Sequence, residues 1–73
     1  MTPLNFRAIR ERLGLSQGDF ALALGYRSLD RKNLRQQVND MEGGRKPITP
    51  QVARLVSMFD AFGVPDDLDE TAA

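Results

Sequence analysis

The sequence predicts an all-α fold, a compact bundle of four to five helices, and three observations carry that reading. Apolar residues recur at spacings of three and four along most of the chain, as they do on one face of a helix. Two Thr-Pro pairs, Thr2-Pro3 and Thr49-Pro50, set a capping hydroxyl before a proline at the first helical position. Glycines then stand where each periodic stretch ends, at Gly14, Gly25, Gly43-Gly44 and Gly63.

The first helix opens at Thr2-Pro3, carries Phe6, Ile9 and Leu13 on one face, and stops at Gly14. Ser16 caps the second, with Asp19 three residues on as an acidic variant of the capping box; Phe20, Ala21 and Leu24 form its apolar face until Gly25. A third helix buries Leu34, Val38 and Met41 and turns Lys32, Gln36, Asn39 and Asp40 to the opposite side. Its start is open between a long turn over residues 26–33 and an early beginning with Ser28 or Asp30 as N-cap. The early start is preferred, because Arg31, Lys32 and Asn33 then occupy a first turn whose free N–H groups and dipole favour a phosphate. Thr49-Pro50 opens the fourth helix, with Val52, Leu55, Val56 and Phe59 inward and Gly63 at its end. Val64-Pro65-Asp66-Asp67-Leu68 can begin a short fifth turn, so the domain is expected over residues 1–68, with 69–73 as a frayed acidic tail.

Seventy-three residues make one domain near the lower limit for a core without staples, and without Cys or His there is no disulfide or ordinary zinc site. No apolar run approaches the roughly 20 residues of a membrane span. The Met1-Thr2-Pro3-Leu4 start, with Arg7 and Arg10 close behind, lacks a signal-peptide core, so a cytoplasmic location is expected. An enzymatic reading lacks parts. Ser16, Ser28 and Ser57 have no histidine to activate them, no Gly-rich loop ends in Lys-Ser/Thr, and Asp66, Asp67, Asp69 and Glu70 are not spaced as a calcium loop. No cofactor or small-molecule ligand is expected. The zero net charge hides an asymmetry: residues 1–54 hold ten basic and five acidic residues, and the remainder holds five acidic and none basic. One basic face turned to a polyanion, with the acidic end turned away, fits that distribution.

The ordered strings Arg10, Leu13-Gly14-Leu15-Ser16-Gln17, then Phe20-Ala21, Leu24-Gly25, and finally Val38, Met41-Glu42, Gly44-Arg45-Lys46-Pro47-Ile48 carry a family resemblance. Residues 4–64 resemble the Cro/CI type of helix-turn-helix domain, the XRE-like family of the lambdoid phage repressors. The resemblance implies a lambda-repressor-like fold, with the second and third helices on DNA. The chain departs from the usual family spacing between Gly25 and Glu42, where Tyr26 to Asn33 fill about one extra helical turn and a few loop residues.

Residue roles follow from chemistry with the resemblance as support. Gln17 resembles the family's phosphate-clamping glutamine. Gln36 and Asn39 can pair with adenine N6 and N7, and Arg35 with guanine O6 and N7, so these three are the expected base readers. Arg27, Ser28, Arg31, Lys32, Asn33, Arg45 and Lys46 are the expected phosphate contacts, with Lys32 also able to reach a base. Asp40 either accepts from cytosine N4 or tethers a neighbouring Arg. The resemblance makes Arg10 and Glu42 a structural ion pair joining the first helix to the end of the third. Met58, Phe62, Val64 and Leu68 exceed what one short bundle buries and are the expected dimer patch. The implied function is a sequence-specific transcriptional regulator, a repressor or autorepressor that binds an inverted-repeat operator in double-stranded DNA as a homodimer. Phage and mobile-element regulators, including those accompanying anti-CRISPR genes, are of this kind. The alternative is an antitoxin or other protein-neutralising module.

Overall fold

The computed structural model describes residues 1–65 and consists there of four α-helices and no strand. They are α1 (Pro3–Arg12), α2 (Gln17–Ala23), α3 (Arg31–Glu42) and α4 (Pro50–Phe62). None is long and apolar enough to cross a membrane. The expected fifth turn, apart from Val64 and Pro65, and the acidic tail lie outside the described residues.

Every helix begins on the cap that the sequence offers. Thr2 Oγ1 accepts from Asn5 N at 3.1 Å, Ser16 Oγ from Asp19 N at 3.1 Å, and Thr49 Oγ1 from Val52 N at 3.3 Å, each satisfying an otherwise orphaned N–H. The Asp19 carboxylate does not complete a box on its own helix but reaches Arg31 at the start of α3. The open question at α3 resolves as the early start, with Asp30 as cap: its Oδ1 accepts from Lys32 N at 2.9 Å. Ser28 lies one step back, its Oγ accepting from Asp30 N at 3.1 Å. Removing the cap with Asp30→Ala should cost about 1 kcal/mol, read as a lower urea midpoint. An unchanged midpoint would show that α3 nucleates without it.

The first three helices end alike. The N–H of the second residue past the cap returns to a carbonyl five residues back, as in Leu15 N to Arg10 O (3.3 Å), Tyr26 N to Ala21 O (3.0 Å) and Arg45 N to Asp40 O (2.8 Å). The motif needs a left-handed residue between, which Gly14 supplies at φ +73°. Its consequence for the site is direct: the chain folds back so that Arg45 lies beside Asp40 and Leu15 beside Arg10.

The core gathers Phe6 and Ile9 of α1, Phe20 and Ala21 of α2, Leu34, Val38 and Met41 of α3, and Val56 and Phe59 of α4. Phe6 and Phe20 meet at 5.1 Å between ring centroids, tilted by 57°. Leu13, Leu24, Val52 and Leu55, expected inward, close the rim of this cluster half-buried. Val64, assigned to the expected dimer patch, is half-buried and packs against the edge of the core. Met58 and Phe62 are exposed as expected, and Leu68 lies outside the described residues.

Candidate nucleic-acid interface

Burying Leu34, Val38 and Met41 leaves the opposite stripe of α3 in solvent, and that stripe meets the start of α2. Gln17, Lys32, Arg35, Gln36 and Asn39 line one shallow depression of about 280 Å³. An adjoining one of about 360 Å³ shares Gln17 and Asn39 and adds Arg7, Arg10, Glu42, Gly43 and Arg45. The three expected base readers therefore share one open surface with two of the expected phosphate contacts, Gln17 and Lys32, and a third, Arg45, adjoins it. Arg27, Ser28, Arg31 and Asn33 lie outside these depressions, exposed on the segment leading into α3 and on its first turn.

Beneath this surface sits an ion pair. Arg10 Nε donates to Glu42 Oε2 at 2.5 Å and Nη2 to Oε1 at 3.3 Å, with side chains only 14% and 6% exposed. The remaining guanidinium edge is used as well, Nη1 donating to Leu15 O at 2.9 Å. One arginine thus ties α1, the turn after it and the end of α3 together. Glu42 Oε1 also accepts from Gln17 Nε2 at 3.1 Å, and the same nitrogen donates to Asn39 Oδ1 at 3.3 Å. Both Gln17 amide hydrogens are thus spent inside the protein, so clamping a phosphate through this amide requires exchanging one of these bonds. In return, α2 and the exposed stripe of α3 are held in register.

Asp40 tethers its neighbours. It accepts from Gln36 Nε2 at 2.8 Å and from Arg45 Nε at 3.1 Å. The Gln36 bond first, then Arg45, hold its carboxyl below the usual carboxylate range, against a smaller opposing effect of desolvation. Whatever stability these contacts add is present above the ordinary carboxylate pKa and lost as pH falls through the depressed one.

Of the ten cations, five are ion-paired among the described residues: Arg7 with Glu11, Arg10 with Glu42, Arg12 with Asp60, Arg31 with Asp19 and Arg45 with Asp40. Among the described residues, Arg27, Lys32 and Arg35 have no carboxylate partner, and all three belong to the segment leading into α3 or to α3 itself; Arg54 on α4 and Lys46 also have none. Lys46 is engaged differently. Its ammonium stands 5.0 Å from the centre of the Tyr26 ring and donates to Gln37 Oε1, so this expected phosphate contact also joins the loops after α2 and α3.

Sequence reasoning assigned no part here to Gly18 or to the Tyr26 ring, while Gln37, which it set at the flank of α3, holds Lys46. Gly18 is buried where α3 crosses α2, and a Cβ there would lie 3.1 Å from Arg31 Nη2 and 3.5 Å from Arg35 Cγ. Its bare backbone gives these two arginines room to lie across α2. The available signal was a glycine inside a helix, a costly choice that calls for a packing reason.

Comparison with protein-family models, with curated proteins and with solved structures found no match for the chain.

Proposed function

We propose that this chain is a DNA-binding regulator of the Cro/CI helix-turn-helix type, with α3 as its reading helix. The observation that carries the reading is the stripe Lys32, Arg35, Gln36 and Asn39: two amides and two cations that have no carboxylate partner among the described residues, on one exposed helix face, with Gln17 of α2 bonded into it. Amides and guanidinium groups are the side chains that pair with purine edges, and free cations release counterions from a phosphate backbone. Two-fold symmetry would set two such helices about one DNA turn, roughly 34 Å, apart. The exposed Met58 and Phe62 near the end of α4 are the surface for that association, and repression follows from occupying a promoter.

The test is selection of binding sites from a randomised duplex library by the intact chain, followed by titration. Gln36→Ala and Asn39→Ala should each cost about 1 to 3 kcal/mol on the selected site and almost nothing on random DNA. Lys32→Ala, if it acts on phosphate, should weaken both and flatten the dependence of log affinity on log salt by roughly one unit. Failure to enrich any sequence, together with no salt-dependent affinity for random duplex, would refute the reading and favour a protein partner instead.

A further inference from the structure

The Gln36 amide lies one helical turn before Asp40, and its nitrogen is the end in contact with the carboxylate. A glutamine amide standing alone turns readily about its last torsion and offers either its oxygen or its nitrogen to a neighbour. An ionised carboxylate removes that freedom, because it accepts hydrogen bonds and donates none; only the nitrogen end can face it. Asp40 stays ionised through the neutral range, since both Gln36 and Arg45 stabilise its charge. Arg45 does a second service by offsetting a negative charge that would otherwise stand unpaired on a surface meant for a polyanion. Among the described residues the Gln36 oxygen has no protein donor, and it lies on a face that is open to solvent.

Resting on the DNA-binding role proposed above, we infer that Asp40 is a positioning residue that sets the polarity of Gln36. Gln36 thereby offers an acceptor to the major groove and selects, on the strand it faces, a base bearing an exocyclic amine. Adenine N6 and cytosine N4 are the donors available in that groove, whereas guanine presents O6 and N7 and thymine presents O4. A keto base could accept only the remaining Nε2 hydrogen and would leave the Gln36 oxygen without a donor, and turning the amide would break its bond to Asp40 and set its oxygen against the carboxylate. Adenine satisfies Gln36 further, because the second hydrogen on Nε2 remains free for N7. Asp40 touches no base in this scheme, and its effect appears as a base preference at a position it does not contact.

Sites selected by the intact chain, by Gln36→Ala and by Asp40→Asn test the inference. The position at which Gln36→Ala loses its preference marks the base that Gln36 reads. There the intact chain should favour adenine or cytosine over guanine or thymine by about tenfold, the scale of one good hydrogen-bonded base contact. Asn at 40 can donate as well as accept, so Asp40→Asn should admit the keto bases while preferences elsewhere in the site persist. Gln36→Glu, an acceptor at both oxygens, should bind more weakly yet keep the amine preference, which supplies a second measurement should Asp40→Asn fail to fold. A keto base preferred at that position would overturn the inference, as would a full amine preference in Asp40→Asn or its loss in Gln36→Glu. Enrichment without any Gln36-dependent position would overturn it too while leaving the DNA-binding reading intact. An absence of any enrichment by the intact chain would instead refute that reading.

Discussion

Replacing Glu42 with Ala should lower the free energy of unfolding by about 3 to 5 kcal/mol, because it strands a guanidinium among groups that no longer neutralise it. The Arg10 side chain is 14% exposed and that of Glu42 is 6% exposed, so water can restore little of the lost solvation. Arg10 would keep its bond to the Leu15 carbonyl but lose both bonds to the carboxylate, and Gln17 would lose one of the two acceptors of its amide nitrogen. The size of this penalty reflects the removal of one partner and does not measure the net worth of the pair. A double variant, Arg10→Met with Glu42→Leu, should therefore recover most of the stability, since well-packed apolar residues often replace buried ion pairs without loss. Chemical denaturation of the two variants and the parent checks both statements. A cost below about 1 kcal/mol for Glu42→Ala would mean that the pair is solvated as surface pairs are. On the proposed DNA-binding role, the double variant should fold yet bind DNA weakly, because Gln17 has lost the carboxylate that positions it.

The four helices were legible because their signals are local. A Thr-Pro start, a capping Ser or Asp and a glycine stop each act within a few residues, and the core positions Phe6, Phe20, Leu34, Val38, Met41, Val56 and Phe59 follow from helical spacing alone. The choice between Ser28 and Asp30 as the cap of α3 was not legible. Both are good caps, and the outcome is a relay in which Ser28 holds Asp30 and Asp30 holds the helix. The stripe of candidate readers could be listed from the same periodicity, but its internal wiring could not. The bonds from Gln17 to Asn39 and Glu42, and the stacking of Lys46 on Tyr26, join residues 20 or more positions apart, so they exist only once the helices have packed.

Phe20→Ala should be comparably damaging, for a reason that involves no charge. Phe20 is wholly buried, packs its ring on Phe6 and is the largest side chain that α2 contributes to the core. Truncation to Ala removes most of its apolar area and leaves a cavity that the short α2 is poorly able to close, a change that costs about 3 to 5 kcal/mol in well-packed cores. A domain of this length has a total stability on the order of 4 to 11 kcal/mol, so the variant should sit near its unfolding transition at physiological temperature. Loss of the cooperative helical signal in a thermal melt, at a midpoint far below that of the parent, is the expected result. Phe20→Leu, which refills much of the space, should restore the transition in large part. Equal damage from Leu and Ala would show that α2 depends on the aromatic contact with Phe6 rather than on filled volume. A melt unchanged by Ala would show that α2 is not held by this residue. If α2 is held by it, then the register of Gln17 and Gly18 against α3, and with it the geometry of the exposed α3 stripe, depends on a buried phenylalanine that is not itself among the proposed DNA contacts.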